Sequence, residues 1–572
     1  MKMKNLEVAK ILREIAYFLD MDDVKFKPRA YEKAASSVDA LDEDIAEVYR
    51  RGGVKSLMEI PGIGQAIAEK IEEMTLTGKS GYHEKLNKKI PVDLESLIAI
   101  EGIGPKTIKE LYQKLKIKTV EDLEKAAKSS KIAGLSGFGK KKEENILKGI
   151  GFFKKSQGRF LLGDILPIIK DIENRLKSLT GVKRAEVAGS VRRWKETVGD
   201  ADFLVISEEP ENVMNFFVSM PEVVNVYSKG KTRSSVKLNN GMEADLRVIS
   251  SKSYGAALQY FTGNTQHNVE LRRLAIKRGW KLNEYGIFKG GTQIAGGTEE
   301  EIYDKLGLQW IPPELRENTG EIEAAAGRKL PNLIGYDDLR GDFQVTTNWT
   351  DGSNSIAEIA EEAKAIGLEY IALGDHTKSL AMTGGLDEKG ISKQGREIEK
   401  LNKSISGLTI LKGTEVNIMK DGSLDIKDST LAELDVVGAG IHSYFNLPKE
   451  EQTRRIIRAM ENENVDLIVH PTGRQIKTRE PIQLDIEKVI EAAKATGTIL
   501  EIDAMPDRLD LKDEYVRKCV EASVKLAIDS DAHSKLQLHN LKFGIATARR
   551  GWATAKDIVN TRTLKELRDY LK

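Results

Sequence analysis

The chain has 572 residues, is 40% hydrophobic and carries 89 Lys and Arg against 88 Asp and Glu, a length that predicts about three to five domains. No apolar run is long enough to span a bilayer, and the start Met1-Lys-Met-Lys-Asn lacks the apolar core of a signal peptide. One cysteine, Cys519, excludes an internal disulfide and a cysteine-built zinc site, so a cytoplasmic protein without membrane contact is expected.

The small net charge conceals an asymmetry. Residues 1–330 sum to +7 and residues 331–572 to −6. A basic front half suits a polyanionic partner. An acidic rear half suits either a metal-loaded unit or a face of solvated acids.

Residues 1–155 carry Leu, Ile and Ala at helical spacing almost throughout. Three breaks interrupt them, at Gly62-Ile-Gly64, Gly102-Ile-Gly104 and Gly137-Phe-Gly139. Glycines allow a tight turn, and the backbone N–H groups that open the next helix can bind a phosphate. Three copies at intervals of roughly 35 to 40 residues form a helix-hairpin-helix array, read as sequence-independent DNA binding. Lys70 lies on the helix after the first turn. It is an ordinary solvated lysine, a phosphate ligand or, with a lowered pKa, a Schiff-base nucleophile.

From residue 156 the pattern shifts to strands, at Val187-Ala188, Phe203–Ile206 and Val236–Leu238. Asp200 and Asp202 begin one of them. Alternation along a strand aims both carboxylates at one point. Asp245 stands mid-strand in Met242-Glu-Ala-Asp-Leu-Arg-Val, where an acid is costly unless paired or bound to metal. Gly189-Ser190, ten residues upstream, offers amides and a hydroxyl to phosphate oxygens, and Arg193 can neutralise charge on a departing pyrophosphate.

In this order, followed by Tyr260-Phe261-Thr-Gly263, these motifs resemble the family X DNA polymerases of the nucleotidyltransferase superfamily across residues 1–315. The resemblance implies a helical front, then an α+β palm and thumb. It implies that Asp200, Asp202 and Asp245 are catalytic and hold Mg²⁺ or Mn²⁺. It gives the nucleotide to Arg159, Gly189, Ser190, Arg193, Tyr260, Phe261 and Gly263, with Asn268 and Arg272 reading the nascent pair. Lys70 falls at the lyase lysine, near Lys27 and Tyr31, but Ala66 stands where a further lysine is found.

Glu314–Pro331, charged and alanine-rich, reads as a linker. Beyond it strands and helices alternate, with strands at Tyr370–Leu373, Thr409–Lys412, Val436–Gly438, Leu467–Val469, Ile499–Ile502 and Leu526–Ile528. That alternation predicts a parallel α/β barrel. Five of the seven histidines lie after residue 370, mostly at strand ends, where a barrel's active face lies. Imidazoles and carboxylates there suit Zn²⁺ or Mn²⁺.

Residues 335–572 resemble the polymerase-and-histidinol-phosphatase (PHP) domain, which implies a distorted seven-stranded barrel with three metals. One site would use Asp351, His376 and His533, and a second Glu415, His442 and His470. A third would use Glu415 and Asp531 with a His-x-His pair. Gln344 and Thr346 stand at that pair, and Asp503 replaces a usual asparagine, so two sites are expected intact and one crippled.

The expected domains are 1–80, 81–155, 156–255 (palm), 256–315 (thumb), a linker at 316–334, and 335–572 (PHP). The expected function is gap-filling DNA synthesis in base excision repair by a monomer acting on gapped or primed duplex DNA and deoxynucleoside triphosphates. The PHP nuclease is expected to be weakened or lost. The alternative is a PHP domain active as a 3′–5′ exonuclease or abasic-site endonuclease. A non-catalytic DNA scaffold fits poorly, having no use for three convergent acids.

Overall fold

The computed structural model describes all residues except Met1, Lys2, Lys4, Ala40, Asp42, Ala99, Glu101, Ser136, Gln157 and Lys572. Glu101 and Ser136, which precede the second and third glycine turns, therefore lie outside the described residues.

The front 155 residues are helical and close over two apolar cores. Helices Asn5–Met21, Lys27–Asp39, Ile45–Met58 and Gln65–Thr77 bury Leu12, Ile15, Ala34, Ile67 and Ile71 in the first. Pro105–Leu115, Val120–Lys128 and Gly139–Ser156 bury Ile108, Leu111, Leu123 and Ile146 in the second. Phe18 and Met21 of the first helix insert into the second core. Ile63, Ile103 and Phe138, the middle residues of the three turns, are buried. The turns are thus pinned by their apolar residue. Gly62, Gly102 and Gly137 all have φ between +81° and +86°, which disfavours any side chain. Gly64 and Gly104 cap their helices without a side-chain hydrogen bond. The third turn differs, because Gly139 is itself at φ +57° and already begins its helix.

The central sheet has strands β1 (Val182–Val187), β2 (Asp200–Ser207), β3 (Val223–Lys229), β4 (Arg233–Leu238) and β5 (Glu243–Val248), in spatial order β1-β2-β5-β4-β3. Only β2 and β5 run parallel. Helix Leu162–Lys177 places Leu162, Ile165, Leu166, Ile169, Ile172 and Leu176 against Ala201, Phe203 and Val205. The opposite face of β2 carries Asp200, Asp202 and Leu204, and Leu204 packs on Tyr254, Ala257 and Leu258. The aspartates therefore open toward the helix Tyr254–Thr262. A small antiparallel sheet follows: β6 (Lys281–Asn283), β7 (Gly286–Lys289) and β8 (Thr292–Ala295).

The segment expected as a linker is packed. Arg316 is fully buried, and helix Glu321–Ala326 buries Ile322 and Ala325. A charged, alanine-rich composition is compatible with a buried ion-pair network as well as with a solvated linker, and composition alone does not separate them.

The C-terminal part has eight parallel strands: β9 (Gly341–Val345), β10 (Tyr370–Leu373), β11 (Thr409–Leu411), β12 (Gly413–Asn417), β13 (Val436–Gly440), β14 (Leu467–Ile468), β15 (Ile499–Asp503) and β16 (Leu526–Asp529). They form a three-stranded sheet, β9-β10-β11, and a five-stranded sheet, β12 to β16. Among the described residues no continuous ladder closes them into the expected seven-stranded barrel. Single bridges, His376 with Glu415 and Val345 with Ala532, join the two sheets. One cluster draws Phe343, Tyr370, Leu411, Val436, Leu467, Ile499 and Ala527 from both sheets.

Candidate active sites

β2 and β5 pair in register, Asp200 opposite Glu243 and Asp202 opposite Asp245. Parallel pairing thus brings the three expected aspartates to one end of the sheet. Asp245 accepts from the Ser235 hydroxyl and lies 3.3 Å from the Arg233 guanidinium. Burial, with Asp200 and Asp245 nearby, pushes the Asp202 carboxyl up to about 7. A carboxylate so disfavoured in its charged form fits a divalent cation. The Ala188 N–H donates to the Asp202 carbonyl at 2.7 Å, which ties the Gly189 turn to the strand. Gly189 has φ +65°, and a Cβ there would stand 3.0 Å from Asp202 Oδ2. Only glycine lets the turn approach the carboxylate so closely.

Tyr260, Phe261, Asn268 and Arg272 engage one another, whereas Arg159 and Arg193 are held by other residues. Arg159 Nε donates to Thr197 Oγ1 at 2.9 Å. Arg193 Nε donates to Glu317 Oε1 at 2.8 Å, and its guanidinium also reaches the Thr262 carbonyl. Tyr260 and Phe261 stack edge to face, with ring centroids 5.1 Å apart, and Arg247 lies over Phe261. Asn268 Nδ2 donates to the Tyr260 carbonyl at 2.7 Å, and Arg272 Nε to the Asn268 carbonyl at 3.2 Å.

One group here escaped the sequence reading. Glu299 receives Arg192 through two bonds of 2.8 and 2.7 Å and Arg316 through one of 2.6 Å. Burial raises its carboxyl, but the two guanidiniums outweigh that and hold it at about 2. This triad ties the turn after Gly189 to the thumb. Its sequence signal is faint, since the three charges are far apart in the chain.

Lys70 Nζ donates to the Ala66 carbonyl at 2.9 Å and lies 4.9 Å from the Tyr82 ring centre. Tyr31 is buried, and that burial, with Tyr82 close by, pushes its phenol up to about 12. Lys27 is exposed at the start of the second helix.

The second site lies at the C-terminal ends of β9 to β16. Glu415 Oε1 is 2.8 Å from both His442 Nε2 and His470 Nε2, and its Oε2 is 3.1 Å from His376 Nδ1. Asp351 is 3.8 Å from His376 and 4.0 Å from His533. Gly440 is required here, because a Cβ would stand 2.6 Å from Glu415 Oε1. Asn417 Oδ1 accepts from His442 Nδ1 at 2.8 Å and so turns Nε2 inward. The imidazoles beside it hold the Glu415 carboxyl well below the usual range despite its burial. Burial lowers His376, but Glu415 and Asp351 raise it to about 9. The groups Asp351–His376–His533 and His376–Glu415–His442 are each close enough to hold a metal ion, but they share His376, so two ions together leave the second to Glu415, His442 and His470, as expected. The third expected position does not fit. Gln344 Nε2 donates to Glu415 Oε2 at 2.6 Å, and the Thr346 hydroxyl faces the Gly374 carbonyl at 3.5 Å. An amide N–H aimed at the shared carboxylate cannot ligate a cation.

His539, the fifth late histidine, pairs with Glu362 away from this cluster. Sequence reading missed the buried acids Asp375, Glu501 and Asp529, and it missed Arg508. Glu501 and Asp503, like Asp529 and Asp531, repeat the acid-x-acid spacing that exposed Asp200 and Asp202. A cavity of about 860 Å³ covers the histidines, and Arg13, Arg29 and Lys33 of the N-terminal helices also line it.

The comparisons with known proteins give relatives for both parts of the chain. Along its full length the chain is 36% identical to the DNA polymerase/3′–5′ exonuclease PolX of Bacillus subtilis (strain 168), over 575 aligned residues and 100% of both chains. The chain belongs to the family X DNA polymerases. Within this polymerase, residues 257–317 match the DNA polymerase beta thumb, 3–80 a helix-hairpin-helix domain and 94–151 a SAM-like helix-hairpin-helix tandem. It is also 26% identical to DNA polymerase lambda of Arabidopsis thaliana, over 46% of this chain and 54% of the relative. It is 33% identical to a probable phosphatase of Thermoanaerobacter sp. (strain X514), over 38% of this chain and 88% of that protein. No described helix of the polymerase is long and apolar enough to cross a membrane.

Proposed function

We propose that this family X polymerase fills short gaps in duplex DNA during base excision repair, as a monomer using deoxynucleoside triphosphates. The in-register convergence of Asp200, Asp202 and Asp245 carries the reading. Mg²⁺ or Mn²⁺ held there would neutralise the triphosphate and acidify the primer hydroxyl. The Gly189-Ser190 turn binds phosphate oxygens, and Arg193 exchanges Glu317 for the pyrophosphate. Tyr260, Phe261 and Gly263 carry the sugar and base, while Asn268 and Arg272 read the pair. The glycine turns at 62–64, 102–104 and 137–139 grip the DNA backbone, and three small clamps suit a short gap. The domain limits expected above go with this reading.

We read the two parallel sheets around one apolar interior as an opened PHP barrel holding Zn²⁺ or Mn²⁺ through Asp351, His376, Glu415, His442, His470 and His533, with Asp531 beside them. Its nuclease is weakened, because the third position offers N–H donors in place of imidazole. The intact Glu415–histidine cluster favours a second reading, an active 3′–5′ exonuclease, the activity that the name of the Bacillus subtilis relative carries. Lys70, beside Tyr82, is the nucleophile of any lyase step.

Gapped DNA incubated with Mg²⁺ or Mn²⁺, scored for extension and degradation, tests the proposal. Asp200→Ala is expected to lower extension by at least about 10³-fold with DNA binding kept. Extension at the wild-type rate by that protein would sink the polymerase assignment. Degradation that persists in it at a rate matching extension by the wild type, and is lost on adding His442→Ala, would decide for the exonuclease reading.

A further inference from the structure

The two metal groups leave Asp531 outside both. It is buried, as is Asp503 on the neighbouring strand. Between them lies a cation that belongs to the chain. Arg508 NH2 stands 3.6 Å from Asp531 Oδ2, and Arg508 Nε stands 3.6 Å from Asp503 Oδ2. The arginine follows β15 by five residues and lines the same cavity as His376, His442, His470 and His533.

The other side of this position is equally altered. Gln344 donates its amide N–H to Glu415 Oε2 at 2.6 Å. That oxygen and Asp531 are the two carboxylates a third ion would share. One of them now accepts an amide proton and the other faces a guanidinium. Gln344 turns its N–H rather than its carbonyl oxygen to the shared carboxylate, and a guanidinium has no lone pair to give a metal. A guanidinium stays charged at any accessible pH, so its one positive charge offsets that of Asp531 permanently. Asp503 fits the same arrangement, because a second acid holds the guanidinium where a neutral amide would not.

We propose that the Arg508 guanidinium stands in for a third divalent ion, so that the PHP centre of this polymerase is built for two ions. The inference rests on the reading of that unit as a metal centre. It assigns Gln344, Asp503 and Arg508 to one device, in which loss of ligands and gain of an internal cation compensate each other. Arg508 is a positioning residue here and takes no part in bond cleavage.

Metal content measures this directly. The full chain carrying Asp202→Ala, which removes the polymerase position from the count, is stripped with chelator and reloaded with Zn²⁺ or Mn²⁺. It is then desalted and assayed by inductively coupled plasma mass spectrometry. Two ions per chain are expected. Arg508→Ala combined with Gln344→His and Thr346→His is expected to bind three, one more than its parent. Three ions in the parent would overturn the role of Arg508 and leave the metal centre standing. None in the parent would overturn the metal centre itself, and a count of one would overturn the two-ion architecture. A triple variant that folds, by circular dichroism, and still binds two would also overturn the role of Arg508. Should the triple variant not fold, Arg508→Ala alone takes its place, and a melting temperature equal to the parent's would overturn the role of Arg508, because the two acids would then need no internal cation.

Discussion

Asp202 shows how far a single residue reports the purpose of its site. Burial and two neighbouring carboxylates push its carboxyl from the ordinary range up to about 7. Without metal, the folded protein therefore keeps a proton that the unfolded chain releases near pH 4. Folded and unfolded states differ in bound protons between these values, so stability of the metal-free protein falls as pH rises from about 4 to about 7. The shift corresponds to at most about 4 kcal/mol. Asp202→Asn keeps the shape and removes the charge. In chelator at pH 8 it is expected to stabilise the protein by about 1–3 kcal/mol, with the gain vanishing below pH 4. Denaturant melts at the two pH values check this, and an unchanged midpoint at pH 8 contradicts it. The same substitution is expected to abolish extension of gapped DNA. Opposite effects on stability and activity mark a site strained for function.

At the scale of elements, Arg192, Glu299 and Arg316 join the turn that approaches Asp202 to the helix Glu299–Lys305 and the chain beyond it. A buried ion triad gains little over apolar packing, but breaking it leaves charges without partners. Glu299→Gln is expected to cost about 3–5 kcal/mol. It should also speed amide exchange in residues 299–305 of the thumb before the palm. Uniform exchange across palm and thumb in the variant would show that the triad does not couple them. This network explains what the sequence could reveal and what it could not. The aspartates were legible because a strand's alternation and a Gly-Ser turn are local patterns. Nearly every strand after residue 365 was legible too, since buried parallel strands read as short apolar runs. Two short strands, β9 and β12, had no such reading because polar site residues interrupt them: Asp342 and Gln344 in one, Glu415 and Asn417 in the other. Arg316 fell in the expected linker, and Arg508 drew no reading at all. Their partners lie on other elements, and no local pattern encodes a partner that far away. The loss of the histidine pair was visible at Gln344 and Thr346. The cation that replaces the ion was not.

Across the whole molecule, the PHP unit reaches into the core of the palm. Leu509 and Phe543 of the PHP unit are buried in the same cluster as Ile165, Ile169 and Phe203 of the palm. Phe543 meets Trp194 edge to face at 5.7 Å. Gly163 lies so close to Pro506 that a Cβ would stand 2.2 Å from the proline Cβ. Polar contacts rim this seam: Arg474 to Glu196 at 2.7 Å and Lys477 to the Arg159 carbonyl at 2.6 Å. The Arg159 segment, expected beside the triphosphate, is therefore held partly by a PHP loop. A continuous apolar seam couples the stabilities of the units it joins, whereas a polar rim alone would leave them to melt separately. Phe543→Ala removes a buried ring from the seam and is expected to cost about 3–5 kcal/mol. In scanning calorimetry the palm and the PHP unit should melt together in the wild-type protein and separate in the variant. Extension should fall in the variant although Phe543 lies outside the aspartate site, because Arg159 loses its support. If the variant extends gapped DNA at the wild-type rate while its melting splits, the seam stabilises the PHP unit without positioning Arg159. If the melting does not split, the shared core is not what couples them.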